Sequence, residues 1–137
     1  MTPFLDSNVL IYAFTTDPRA TVAQSLLQSG CAISVQGLNE FANVARRKLG
    51  MEWDEIRTAL AAVRTVCASI YPIDLETHAI ALDVGERYGY AFFDALVIAS
   101  ALQAGSKTLW SEDMQHGMAV DGRLTISNPF LGALEPR

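Results

Sequence analysis

The stretch FFDALVIASALQAGSKTLWSED, residues 92–113, decides how the chain folds. From Phe92 to Leu102 it is apolar all the way round, apart from one acid, Asp94, near its front. Such a helix belongs in a protein interior, and one is expected over Asp94–Ala104, stopped by Gly105. A strand is expected at Thr108-Leu109-Trp110, closely followed by a second acid, Asp113. A buried helix feeding a short apolar strand is a unit of a sheet covered by helices. Asp94 then needs a reason, because a lone carboxylate entering a core is costly unless something bonds or neutralises it. Capping the helix would contribute about 1 kcal/mol; holding a cation is the other reading.

The same alternation runs outward in both directions. Pro3-Phe4-Leu5 reads as a short buried strand, followed by a helix over Ser7–Phe14. Asp17-Pro18 opens another helix, with Pro near its first position, running to about Gln28 and ended by Gly30. Ala32-Ile33-Ser34 is a short strand. Leu38, Phe41, Ala42, Ala45 and Leu49 recur at helical spacing over Val35–Leu49, and Gly50 stops that helix. Asp54–Ala68 is helical, with Ile56, Leu60, Val63 and Val66 on related faces. Ile70–Ile73 is a strand, Leu75–Tyr88 a helix ending near Gly89, and Leu124-Thr125-Ile126 a last strand. Pro129 and Pro136 mark an irregular tail. The order predicts an α/β fold with a mostly parallel central sheet sandwiched by helices, and one domain over residues 1–137.

Composition narrows the function. The 137 residues are 50% hydrophobic and 18% charged, which suits a globular core. The net charge of −5 argues against simple phosphate attraction, so a nucleic-acid role would need a local basic patch or bound cations. Cys31 and Cys67 each lie in an apolar stretch and read as buried free thiols. There is no C-x-x-C pair to suggest zinc. The N-terminal MTPFLDSNVLIYAF has no basic leader, and no apolar run approaches the roughly 18 residues of a membrane span. The expectation is a soluble cytoplasmic protein.

The acids fall at one kind of place. Asp6 directly follows a strand, Asp113 closely follows another, and Asp94 fronts a buried helix. Parallel strands put Asp6 and Asp113 on one rim of the sheet, where α/β proteins bind their ligands. Glu40 sits in the first half of its helix, away from the charged run Arg46-Arg47-Lys48. Clustered carboxylates repel one another unless some protonate or a divalent cation joins them. Oxygen donors without nearby sulfur, and only His78 and His116 in the chain, favour Mg²⁺ or Mn²⁺ over zinc. Singly, each acid has a plain reading: Asp6 and Asp94 as helix caps, Asp113 as a turn residue, Glu40 as a solvated helix residue.

The segments FLDSNVLIYAF, NEF, FFDALVIASALQAG and LWSED together resemble a PIN-domain ribonuclease, and most closely the VapC toxins of bacterial toxin–antitoxin pairs. The resemblance runs from Phe4 to about Gly117. It implies a small three-layer α/β/α fold whose acids bind Mg²⁺ or Mn²⁺ and cleave RNA. It carries Asp6, Glu40, Asp94 and Asp113 into the catalytic and metal-binding set, with Asp6 and Asp94 as direct ligands and Glu40 and Asp113 acting through water or a second ion. Asn8 and Ser111 become supporting residues, and Glu112 competes with Asp113 for the last position. It further implies an antitoxin partner and a homodimer, with no membrane.

Arg46, Arg47 and Lys48 are candidate phosphate contacts, although cations at a helix C-terminus also suit the helix dipole. Gln115 and His116 are candidate RNA contacts in the loop after Asp113; His78 reads as structural or solvated. A receiver-type signalling domain also uses strand-end acids with Mg²⁺, but Asp6 lacks an acidic neighbour and Lys107 stands before its strand. A nuclease-fold protein with another RNA-processing role is a further alternative. Asp6-Ser7-Asn8 does not fit an Asp-x-Asp phosphatase, and only two histidines, neither in a fitting motif, give no Ser-His-Asp arrangement.

Overall fold

Six short strands share one sheet in the computed structural model, which describes residues 2–132. In chain order the elements are β1 (Phe4–Leu5), α1 (Ser7–Tyr12), α2 (Arg19–Gln28), β2 (Ala32–Ser34), α3 (Val35–Arg47) and α4 (Trp53–Val66). Then come β3 (Ser69–Tyr71), α5 (Leu75–Tyr88), α6 (Phe92–Gln103), β4 (Thr108–Trp110), β5 (Ala119–Val120) and β6 (Leu124–Ser127). The strand order is β3-β2-β1-β4-β6-β5, and every pairing is parallel except β5 with β6. The expected mostly parallel α/β sheet is present.

Alternating side chains feed two cores. Phe4, Ala32 and Leu109 point to the face covered by α5 and α6. Leu5, Ile33 and Trp110 point to the face covered by α1, α2, α3 and α4. Three layers result. Along α6, Ala95, Leu96, Ile98, Ala99, Ala101 and Leu102 are all buried, which accounts for its unbroken apolar run. Its first two residues, Phe92 and Phe93, stay exposed.

Local chemistry sets the boundaries. The Ser34 hydroxyl caps α3 by accepting from the Gly37 amide at 3.1 Å. Asp74 and Thr77 form a reciprocal capping box on α5, and Gly89 ends that helix in the left-handed region at φ 76°. Three expectations shift. α6 starts at Phe92 with Ala91 as its cap residue, so Asp94 is the third helical residue and is not the N-cap. Pro18 is the cap residue of α2, one position earlier than expected. α3 stops at Arg47, leaving Leu49 exposed.

A strand was also missed. Ala119–Val120 pairs antiparallel with β6 through a turn at Asp121-Gly122, where φ is 54° and 64°. Asp-Gly between two short apolar runs is the residue pair such a tight turn requires. The expected tail begins after Ser127, where Phe130 is buried; Pro136 lies outside the described residues. Cys31 and Cys67 are free, Cys31 fully buried and Cys67 half-buried, with their sulfurs 4.0 Å apart. No described helix is long and apolar enough to cross a membrane.

The burial of α6 sets a stability expectation. Ile98→Ala, at a fully buried position, is expected to cost about 2–5 kcal/mol. Leu75→Ala, 82% exposed on α5, is expected to stay within about 0.5 kcal/mol. Urea midpoints measure both, and equal losses would contradict this packing.

Candidate active site

The strand order reverses at β1: successive strands step outward to β2 and β3, and β4 then returns to the other side of β1. A crevice opens at such a reversal, at the carboxyl ends of the strands. Asp6 is the first residue beyond β1, and Ser111 to Asp113 lead out of β4. Glu40 lies in the second turn of α3, which starts directly at the end of β2. Asp94 reaches the crevice from the opposite face, in the first turn of α6.

Asp6 is the best-held member. Only 7% exposed, it caps α1 by accepting from the Ser7 amide at 2.8 Å. Its other oxygen accepts from the Ser111 hydroxyl at 2.8 Å and the Asn8 side-chain amide at 3.2 Å. That Asn8 nitrogen also lies 3.2 Å from an Asp113 oxygen, so Asp6 and Asp113 face the same point. The Asn8 carbonyl accepts from the Glu112 amide at 3.1 Å. Asn8 thereby pins the β4 exit loop to the β1 exit.

The adjacent acids Glu112 and Asp113 separate cleanly. Glu112 turns outward and accepts from the Tyr12 hydroxyl and from Arg19 Nε, each at 2.8 Å. Arg19 is also bonded to Asp17 and lies over the Tyr12 ring at 5.1 Å. Glu112 is therefore taken up by a clamp on α1 and α2, and Asp113 is the one turned to the crevice.

The electrostatics mark a crowded acid site. Burial pushes the Asp6 carboxyl from its ordinary 3.8 up to about 6, against the Ser111 and Ser7 hydrogen bonds, with Glu40 and Asp94 adding to the rise. Burial raises Glu40 as well, helped by Asp94 and opposed by the Ser7 hydroxyl. Burial raises Asp94, and Asp113 adds to it. Asp6, Glu40 and Asp94 each feel another acid, and Asp94 feels Asp113, which places the four in one neighbourhood. A strained set of titrations in a crevice is what functional carboxylates display.

The donor set suits a hard cation. It consists of carboxylate, hydroxyl and amide oxygens, without thiolate or imidazole, and matches Mg²⁺ or Mn²⁺. Among the described residues no three acids stand close enough to cage an ion on their own. Mg²⁺ does not need a cage: it keeps several waters and uses one or two protein carboxylates. Asp6, at the end of β1, and Asp94, on α6, could supply those two carboxylates.

The other candidates are placed less centrally. Arg46 donates to the Met51 carbonyl at 3.1 Å, lies over the Trp53 ring and pairs with Glu52 at 3.8 Å. With Arg47 it occupies the last turn of α3, where it complements the helix dipole. Lys48 is exposed just beyond. The run lies roughly 10 Å along the helix axis from Glu40. Gln115 and His116 are exposed in the loop after Asp113, and His116 Nδ1 accepts from the Asn128 amide at 3.0 Å. Lys107 enters β4 at its amino end, on the rim opposite the acids, so the receiver-like arrangement is absent.

Sequence reasoning missed several neighbours. Ser7 serves both Asp6, through its amide, and Glu40, through its hydroxyl. Tyr90, just ahead of α6, has its hydroxyl pKa raised by burial and by the nearby Asp94. The Tyr12–Arg19–Glu112 clamp had no local signal, because it joins residues about a hundred positions apart.

Residues 4–118 match the model of the family described as PIN domain. No curated protein sequence matches the chain. Among solved structures, it is similar to a toxin–antitoxin complex from Klebsiella pneumoniae, with 18% identity, TM-score 0.71, and 94% of this chain and 98% of the other covered. It is also similar to VapC20 of Mycobacterium tuberculosis, described as a sarcin-ricin loop cleaving toxin (21% identity, TM-score 0.67, 82% and 90% covered). A third likeness is VapBC2 of Rickettsia felis bound to a promoter DNA fragment (18% identity, TM-score 0.67, 93% and 98% covered). At these identities the likeness is one of fold.

The buried Asp6 carboxyl makes metal-free stability depend on pH. A raised pKa contributes stability that is present below about 3.8 and is lost as pH rises through about 6. Asp6→Asn keeps an acceptor for the Ser7 amide but cannot ionise. It is expected to be more stable than the parent near pH 8, by up to about 3 kcal/mol, and to lose that advantage near pH 4. Urea midpoints across this range, with EDTA present, read the difference; an advantage that is constant with pH would rule out Asp6 ionisation as its source.

Proposed function

The chain belongs to the PIN domain family, and on that premise we propose that it is a metal-dependent ribonuclease, the toxin of a toxin–antitoxin pair acting in the cytoplasm. The observation that carries this reading is the convergence of Asp6, Glu40, Asp94 and Asp113 at the β1/β4 crevice, with Asn8 between Asp6 and Asp113. The sarcin-ricin loop cleaving toxin and the toxin–antitoxin complexes of like fold support the same class of substrate and partner.

Asp6 and Asp94 are the residues that would hold Mg²⁺ or Mn²⁺, and Glu40 and Asp113 would accept hydrogen bonds from its water ligands. Bound there, the cation supplies an activated water and stabilises negative charge on the oxygens of the phosphodiester. The protein does the rest by placement. Ser111 and the Ser7 amide fix one orientation of the Asp6 carboxylate. Glu40 is half-buried and burial raises its pKa, which makes it a stronger base toward an attacking water than a solvated glutamate. A cation held there would also ease the charge problem at the reacting phosphate, letting an acidic chain meet a polyanion. The antitoxin would bind near this crevice, and a homodimer is part of the same reading.

Three outcomes test the assignment. Asp94→Asn is expected to lower cleavage of single-stranded RNA by on the order of 100-fold or more, with folding intact by circular dichroism. Asn8→Ala is expected to lose about 10- to 100-fold, with weaker Mg²⁺ binding by calorimetry. EDTA should abolish cleavage, and Mg²⁺ or Mn²⁺ should restore it. Cleavage by Asp94→Asn at the parent rate, or full activity in EDTA, defeats the proposal.

A further inference from the structure

Phe92 and Phe93 open α6 and stand 37% and 61% exposed, on a helix whose body is otherwise packed. Exposed single aromatics are ordinary, but these rings are organised. They meet edge to face with centroids 5.7 Å apart and 74° between their planes. Phe92 rests in turn on the His78 ring at 5.7 Å. Phe93 is therefore a braced ring with an open face. It immediately precedes Asp94 in the first turn of α6, and adjacent Cα atoms lie about 3.8 Å apart, so the ring stands beside the Asp94 position at the head of the helix.

We propose that Phe93, braced by Phe92, is a stacking platform for a base of single-stranded RNA whose phosphodiester lies over the carboxylates. The inference rests on the ribonuclease reading and names how that substrate is gripped. Charge argues for it: a chain of net charge −5 attracts phosphate poorly. A cation at the carboxylates would meet only the phosphodiester being cut, so the flanking nucleotides need contacts indifferent to charge, and base–aromatic stacking is the main one available to single strands. Within the basic run at the far end of α3, Arg46 is already bonded to Met51 and lies over Trp53, and the exposed Arg47 and Lys48 stand at the opposite end of that helix from Glu40. The exposed aliphatic side chains Leu75 and Leu82 sit on α5 and offer no π face. A ring braced by a second ring also loses little freedom when a base settles on it.

The test measures binding of a fluorescein-labelled, mixed-sequence RNA of about 12 nucleotides by anisotropy, with Ca²⁺ replacing Mg²⁺. Phe93→Ala is expected to weaken binding about ten-fold. Phe93→Leu, apolar but not aromatic, should lose as much, and Phe93→Trp should recover the parent affinity. An oligomer of the same length without bases should bind the parent and Phe93→Ala alike. Parent affinity in Phe93→Leu overturns the proposal, as does an equal loss on the oligomer without bases. So does a change in sedimentation of Phe93→Ala with RNA affinity intact, which would make the ring a protein contact. If the parent binds with this pattern yet never cuts RNA in Mg²⁺ or Mn²⁺, the ribonuclease reading fails while the stacking platform stands.

Discussion

The carboxylate of Asp6 is buried at the end of the central strand, and much of the architecture follows from satisfying it. A buried charge without partners costs several kcal/mol. Asp6 finds three donors: the Ser7 amide, the Ser111 hydroxyl and the Asn8 side chain. Ser111 belongs to the exit of β4, so the carboxylate is satisfied only when β4 lies beside β1 in its observed register. The Asp6 backbone amide makes the same connection by donating to the Trp110 carbonyl at 3.0 Å. One side chain thus caps a helix, joins two central strands and sets the floor of the crevice.

Around that floor the other acids are graded by depth. Asp6 is buried, Glu40 and Asp94 are half-buried, and Asp113 is exposed. Each is mounted differently: Glu40 on a helix continuing straight from β2, Asp94 on a helix packed against the opposite face, Asp113 on a loop tied down through Asn8 and Glu112. α6 matters most for precision. Its buried body fixes its axis, and its first turn carries Asp94 where unpaired backbone amides give a partial positive charge. The helix offsets some of the charge it presents.

Much of this was legible in the sequence. Short apolar runs alternating with helical periodicity specify a parallel sheet between helical layers, and strand-end acids then fall on one rim without any knowledge of side-chain contacts. The edges of elements were less legible, for physical reasons. Asp94 looked like a cap because a polar residue preceded an apolar run, but Phe92 and Phe93 continue the helix outward and displace the cap to Ala91. Strand β5 is two residues long and owes its existence to the Asp121-Gly122 turn, not to any hydrophobic pattern of its own. The choice between Glu112 and Asp113 depends on Tyr12 and Arg19, which no local window contains. Tyr12 and Arg19 claim Glu112, while Asn8 bonds Asp113 and so ties it to the crevice.

The same chemistry that makes the site useful makes it a weak point of the fold. Asp6, Glu40 and Asp94 all have raised pKa values, with burial the first cause in each. Every one of them would be better solvated elsewhere. A fold optimised for stability would place amides or apolar groups there, as buried ionic groups can often be replaced without loss. Retaining the acids is reasonable only if something compensates them, and the divalent cation proposed for the crevice would do so for those that it meets. Ion binding and folding are then coupled through the same carboxylates. The electrostatic cost of the crevice traces to the burial imposed by the meeting of β1 and β4, and a cation held there would offset it.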